Sequence, residues 1–215
     1  MRKVLLYAIF AIAVFCGCEK EIDEDNSLPQ DPQITLTTNK EVGETIVLRF
    51  RRDKVPAEVI GATKINEKNS DADGGTFEAF VVDITYKITS QTIVLKGDIP
   101  CMRCRDNELI GIDITQYPGL KSLECDNNQL TTFIVGDNSE LGYLSCANNQ
   151  LTKLDVSKSP KLGVLYCNGN KLTSLDVSKN PELGEFGCAN NKLTSLDVSK
   201  NTKLYNFGCS LNKIK

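Results

Sequence analysis

The chain has 215 residues, 40% hydrophobic and 25% charged, with a formal charge of −3, an ordinary balance for one or two globular domains with a core. Histidine is absent, which excludes Ser-His-Asp and Cys-His nucleophile chemistry and every histidine-containing metal site. Neither the net charge nor any Lys/Arg-rich run points to nucleic acid.

Arg2 and Lys3 form a basic start, and residues 4–15 are a continuous apolar run. That run has signal-peptide length and is too short to span a bilayer stably. The following "FCGCEKE" resembles a bacterial lipobox, with Gly17 before Cys18, although Phe15 and Cys16 depart from the strict pattern. The resemblance implies removal of residues 1–17 and acylation of Cys18, giving durable membrane attachment through several acyl chains. The alternative is an ordinary secretory signal with a cysteine nearby.

Residues 18–32 are acidic, polar and proline-containing ("EKEIDEDNSLPQDP" after Cys18) and read as a disordered tether. The stretch also resembles the acidic signal that sends lipoproteins of the Bacteroidetes to the cell surface. A lipid-anchored position in the outer membrane, exposed on the surface, is therefore expected.

Residues 33–98 alternate in the manner of strands. "ITLTT", "TIVLRF", "TFEAFVVDITYKI" and "TIVLK" are rich in Thr, Val, Ile and Phe, with turn-like "NKEVGE" and "NSDADGG" between them. They predict a small antiparallel β module that acts as an N-terminal cap. Asp71 and Asp73 suggest a calcium loop only faintly, because Val82 stands where such a loop needs glutamate.

From residue 99 to 215 the chain repeats. Cys104, Cys125, Cys146, Cys167, Cys188 and Cys209 are each 21 residues apart, and around them the frame L-x-x-L-x-C-x-x-N-x-L returns. A fixed period of this length means a solenoid of about six repeats, the last one incomplete. The frame is the leucine-rich-repeat signature with cysteine in the third apolar slot. It resembles the repeats of internalin-J-like, cysteine-containing surface lipoproteins of Bacteroidetes type. The resemblance implies a mainly β, right-handed solenoid with a parallel sheet, used for adhesion or ligand binding.

Strand alternation separates packing from surface. Leu183, Phe186 and Cys188 should point inward, as should the columns Leu144, Leu165, Phe186, Phe207 and Leu154, Leu175, Leu196 with Val156, Val177, Val198. Stacked strands lie about 4.8 Å apart, whereas a disulfide brings Cβ atoms to about 3.8 Å. The cysteines are therefore expected as buried thiols acting as small hydrophobes. Cys101 imitates a redox C-x-x-C with Cys104, but an offset of three places the two on opposite faces. The column Asn107, Asn128, Asn149, Asn170, Asn191, Asn212 should satisfy backbone groups in its own and the next coil. Asp155, Asp176 and Asp197 should accept N–H groups of the following turn, with Lys158, Lys179 and Lys200 offsetting the stacked charge.

The outward positions are then free to vary. They run Cys101, Arg103, Arg105; Ser122, Glu124, Asp126; Tyr143, Ser145, Ala147; Val164, Tyr166, Asn168; Glu185, Gly187, Ala189; Asn206, Gly208, Ser210. Exposed aromatics beside charges suit partner recognition. The candidate face for a protein or glycan partner is Arg103, Arg105, Glu124, Tyr143, Tyr166 and Glu185. No catalytic residue, cofactor or metal is assigned. Two other readings stay open: a β-helix-like polysaccharide-processing enzyme, and a spacer that carries a further C-terminal domain. The last copy stops at "CSLNKIK" without a polar cap, which fits a fragment, end-to-end pairing or a frayed last coil.

Overall fold

The computed structural model describes residues 32–70 and 81–214. The leader, Cys18, nearly all of the tether and the Asp71/Asp73 stretch lie outside the described residues. Within them the chain is all β, with strands β1 (Gln33–Thr38), β2 (Thr45–Arg51), β3 (Glu58–Ile60), β4 (Ala62–Ser70), β5 (Val81–Ile88) and β6 (Thr92–Lys96). The repeat region adds β7 (Cys101–Arg103), β8 (Leu109–Asp113), β9 (Ser122–Glu124), β10 (Thr132–Ile134), β11 (Tyr143–Ser145), β12 (Val164–Tyr166), β13 (Glu185–Gly187) and β14 (Asn206–Gly208). No helix among the described residues is long and apolar enough to cross a membrane.

The long sheet runs β14-β13-β12-β11-β9-β7-β2-β5-β4, and a second sheet runs β10-β8-β1-β6-β3. Within the long sheet, the parallel strands from β7 to β14 stack in register as the 21-residue period requires: Leu123 beside Leu144, Leu144 beside Leu165, Leu165 beside Phe186, Phe186 beside Phe207. They delimit about five turns of a β-solenoid of leucine-rich-repeat type. The N-terminal module joins it strand to strand. β2 pairs antiparallel with β7, and β1 pairs antiparallel with β8, so the module extends both sheets.

One core runs through both parts. Ile34, Leu36, Leu48, Phe50, Ile84 and Leu95 of the module are continuous with Met102, Cys104, Leu123, Leu144, Leu165 and Phe186 of the coils. Burying each large side chain is worth about 1.5–3 kcal/mol, and no single coil could bury its own apolar face. The alternation of β1 and β2 matches their burial, inward residues alternating with partly or fully exposed ones. β4 escaped the sequence pattern. "ATKINEKNS" is polar because it is the outer edge of the long sheet, where lysines and a register shift between Lys64 and Asn66 blunt an open edge.

Two repeated devices shape each coil. At Asp106, Asn127, Asn148, Gly169, Asn190 and Leu211 the chain turns with φ between 54° and 67°, the left-handed region that Asn, Asp and Gly tolerate best. The next residue is the ladder asparagine. Asn170 Oδ1 accepts the Leu151 N–H at 3.0 Å, while its amide donates to the carbonyls of Cys146 at 3.0 Å and Cys167 at 3.1 Å. The same bonds recur at Asn128, Asn149, Asn191 and Asn212. A second, unforeseen asparagine column comprises Asn138, Asn180 and Asn201. These buried amides reach back to carbonyls of the preceding coil, and Ser159 stands in the column between Asn138 and Asn180.

Candidate functional site

Outward and available turn out to be different properties at the start of the sheet. Arg103 and Glu124 point away from the core, yet are only 7% and 1% exposed. Arg103 Nε meets Glu124 Oε2 at 2.8 Å and its Nη2 donates to Oε1 at 2.9 Å. Arg105 pairs with Glu124 and, through Nε, with Asp126 Oδ2 at 2.9 Å. Beside them Arg49 of β2 holds Asp83 of β5 with bonds of 2.6 and 3.0 Å. Arg49 lies opposite Arg103, and Arg103 opposite Glu124. This ion-pair row crosses the seam where the module meets the first coils. Arg103 and Glu124 therefore serve packing at the seam and are not open to a partner; Arg105 stays partly exposed. The 21-residue register already sets Arg103 beside Glu124; what the sequence could not show is that β2, from outside the repeat, adjoins β7 and brings Arg49 opposite Arg103.

The next coils present a different surface. The Tyr143 and Tyr166 rings lie edge to face, centroids 6.3 Å apart at 76°. Tyr166 Oη donates to Glu185 Oε2 at 2.5 Å, and Tyr205 Oη donates to Glu185 Oε1 at 2.8 Å. Asn206 Nδ2 also donates to Oε2, at 3.1 Å. These three bonds hold the Glu185 carboxyl below its ordinary value, with the Tyr166 bond contributing most. The same bond pushes Tyr166 up to about 12, and burial does the same for Tyr143. Both phenols thus stay protonated at neutral pH.

Tyr205 was missed by alternation. It occupies the slot held by Gly142, Gly163 and Gly184 in earlier coils, which looked like part of the turn. Its ring lies across Gly184, where an added Cβ would come within 2.8 Å of the Tyr205 Cε1 atom. The broken glycine column was the signal that could have found it.

The chemistry-bearing columns elsewhere are structural. Burial pushes the thiols of Cys104, Cys125, Cys146 and Cys167 well up, and that of Cys188 to about 12, so none is a thiolate nucleophile at neutral pH. Cys101 opens β7 and is half-buried, while Cys104, just past the strand, is fully buried. Asp155, Asp176 and Asp197 each accept the N–H of the serine two residues on, at 2.8–2.9 Å. The hydroxyl of that serine, foremost at Asp155, and this N–H, foremost at Asp176 and Asp197, lower their carboxyl values. Away from the outward face of the coils, an apolar cleft of about 630 Å³ is lined by Pro32, Ala57, Lys96, Tyr117 and Pro118 among others.

No family model and no curated protein matches the chain. Among solved structures it is similar to the functional domain of InlJ from Listeria monocytogenes, described as including a cysteine ladder. The two share 33% identity with a TM-score of 0.53, over 55% of this chain and 26% of that one. The chain carries a β-solenoid similar to that of InlJ, with its own cysteine column, and the match spans about a quarter of the neighbour's length.

Proposed function

We propose that this is a non-catalytic, surface-displayed binding protein that engages a protein or glycan through the outward face of its long sheet. The observation that carries the reading is the patch of Tyr143, Tyr166, Glu185, Tyr205 and Asn206. Its tyrosines and carboxylate sit on a rigid parallel sheet and are held by contacts among themselves. Large amphipathic rings supply contact area at low entropic cost. Internalin-like solenoids are typically not enzymes, and no carboxylate pair in this patch converges with a lysine or arginine. In this reading the solenoid is right-handed, the N-terminal module caps its first coil, and acylated Cys18 anchors it to the bacterial outer membrane. Many copies on one membrane would let weak contacts act together.

Screening the chain against glycan and host-protein arrays tests the face. Tyr143→Ala and Tyr166→Ala should each weaken a hit about ten-fold, as expected for a central aromatic contact. Unchanged binding in both variants removes the assignment. Labelling expressing cells with a fatty-acid analogue tests the anchor, which Cys18→Ala should abolish.

A further inference from the structure

We propose that the Glu185 patch receives the ammonium group of a lysine side chain on a protein partner. This rests on the sheet-face reading above and names the chemistry of the contact.

Three observations point there. The first is charge. Among the outward positions of β11 to β14, Glu185 carries the single formal charge, and no lysine or arginine stands among them. Of the lysines on the turns leading into these strands, Lys161 is paired with Glu140 at 2.6 Å and Lys203 with Glu182 at 2.5 Å. A partner that dries this patch leaves one carboxylate to be neutralised, which a sugar hydroxyl does not do and a cation does.

The second is the count of acceptor sites. A carboxylate offers about four lone-pair directions. Tyr166 and Asn206 occupy Oε2, and Tyr205 occupies one direction of Oε1. One direction remains. A guanidinium fork seeks two parallel bonds to both oxygens, which the existing donors obstruct. An ammonium needs only one good contact to the carboxylate and can turn its other protons elsewhere.

The third is the aromatic corner. The Tyr143 and Tyr166 rings stand nearly perpendicular at 6.3 Å, and Tyr166 reaches Glu185 through its hydroxyl, so the carboxylate lies at an aromatic edge, and a cation that settles within about 6 Å of a ring centre gains further attraction there. Since Glu185 is held by three donors before any ligand arrives, little ordering cost falls on binding.

The test uses the full chain and three capped amino acids: Nα-acetyl-lysine methylamide, its Nε-acetylated neutral counterpart, and Nα-acetyl-arginine methylamide. Amide spectra report the Asn206 side chain and the backbone of β13. The lysine probe should shift these signals with millimolar affinity. The Nε-acetylated and arginine probes, and the lysine probe on Glu185→Gln, should bind about ten-fold more weakly or not at all, a change of about 1.4 kcal/mol. Equal shifts from the neutral probe overturn the ammonium, and equal or tighter arginine binding overturns lysine. The two readings part company on a protein-array hit. A hit lost in Tyr143→Ala but unchanged when the partner's lysines are acetylated refutes the lysine and keeps the face. A hit unchanged in Tyr143→Ala and Tyr166→Ala refutes the face itself, and a glycan-only hit refutes the lysine.

Discussion

Replacing Asn170 by alanine isolates what the asparagine ladder contributes in mid-array. The side chain makes one bond as acceptor, from the Leu151 N–H, and two principal bonds as donor, to the carbonyls of Cys146 and Cys167. The losses are unequal. The Cys146 carbonyl also receives Asn149, and the Cys167 carbonyl also receives Asn191, so each keeps one donor. The Leu151 N–H has no other bond in the ladder and sits at a fully buried residue. Stranding that donor costs about 1–3 kcal/mol, and the two weakened carbonyls add about 0.5–1.5 kcal/mol each. The expected loss is about 4 kcal/mol, a large share of a typical stability of about 5–15 kcal/mol. Asn212→Ala removes the same kinds of bond from a partly exposed coil. Water replaces those partners there, and the cost should be about 1 kcal/mol. Asn170→Asp keeps the acceptor for Leu151 but turns an oxygen toward two carbonyls, so at neutral pH it should destabilise at least as much as alanine. Urea unfolding followed by far-ultraviolet circular dichroism reads all three, with similar slopes expected for the single-site variants. Equal costs at positions 170 and 212, or a tolerated aspartate, would show that the ladder's donor half is idle and refute the reasoning.

Leu211 is the one branched apolar residue in the left-handed column, at φ 56° and 77% exposed. Leu211→Asn should therefore raise stability by about 1 kcal/mol in the same urea assay, and a loss would contradict the strain. At the seam, Glu124→Gln leaves Arg103 buried without its counter-charge and should cost about 3–5 kcal/mol. The double replacement Arg103→Met with Glu124→Leu should cost clearly less, and the reverse order would refute a desolvated ion pair. Asp155, Asp176 and Asp197 have lowered values in the folded chain, so their contribution is complete above the ordinary value of 3.8 and is lost as pH falls through the lowered ones. Changing all three to Asn, which keeps the turn acceptor, should flatten the fall of the urea midpoint as pH drops below about 4; an unaltered acid limb would dismiss them as contributors. Cys104 to Cys188 should resist a thiol-specific disulfide reagent in native buffer and react only in denaturant, whereas rapid native labelling of Cys146 would deny its burial.

The fold was legible because its period is physical. A coil that cannot bury its own apolar stripe must repeat that stripe at a fixed spacing, and Cys104 through Cys209 mark it. Inward and outward followed from alternation, which is why Phe186 and Cys188 are buried as expected while Glu185 is only half-covered. The left-handed turns were visible too, in the first residue of each "NN" pair, but were absorbed into the second residue's column. What stayed hidden depended on strands far apart in the chain. β4 carries no alternation because it is an edge, and the joining of β2 to β7 and β1 to β8 leaves no mark in either segment alone.

The same distinction governs the site. Arg103, Glu124, Tyr143 and Glu185 hold comparable outward slots, and nothing local distinguishes a slot under a neighbouring ion pair from one facing solvent. What separates them is the identity of the adjacent strand. On each side of the seam the outward charges are paired, Arg49 with Asp83 in the module and Arg103 with Glu124 in the coils, so the row is internally satisfied. Beyond β11 no neighbouring strand offers a basic side chain, and Glu185 is met by neutral donors. A satisfied row has little to gain from a partner, and a carboxylate ringed by phenols and an amide has a charge still to match. Departures from the repeat therefore gain meaning only in pairs: Tyr205 in a glycine column is a turn variant by itself, and becomes part of a recognition surface because Glu185 stands one coil before it.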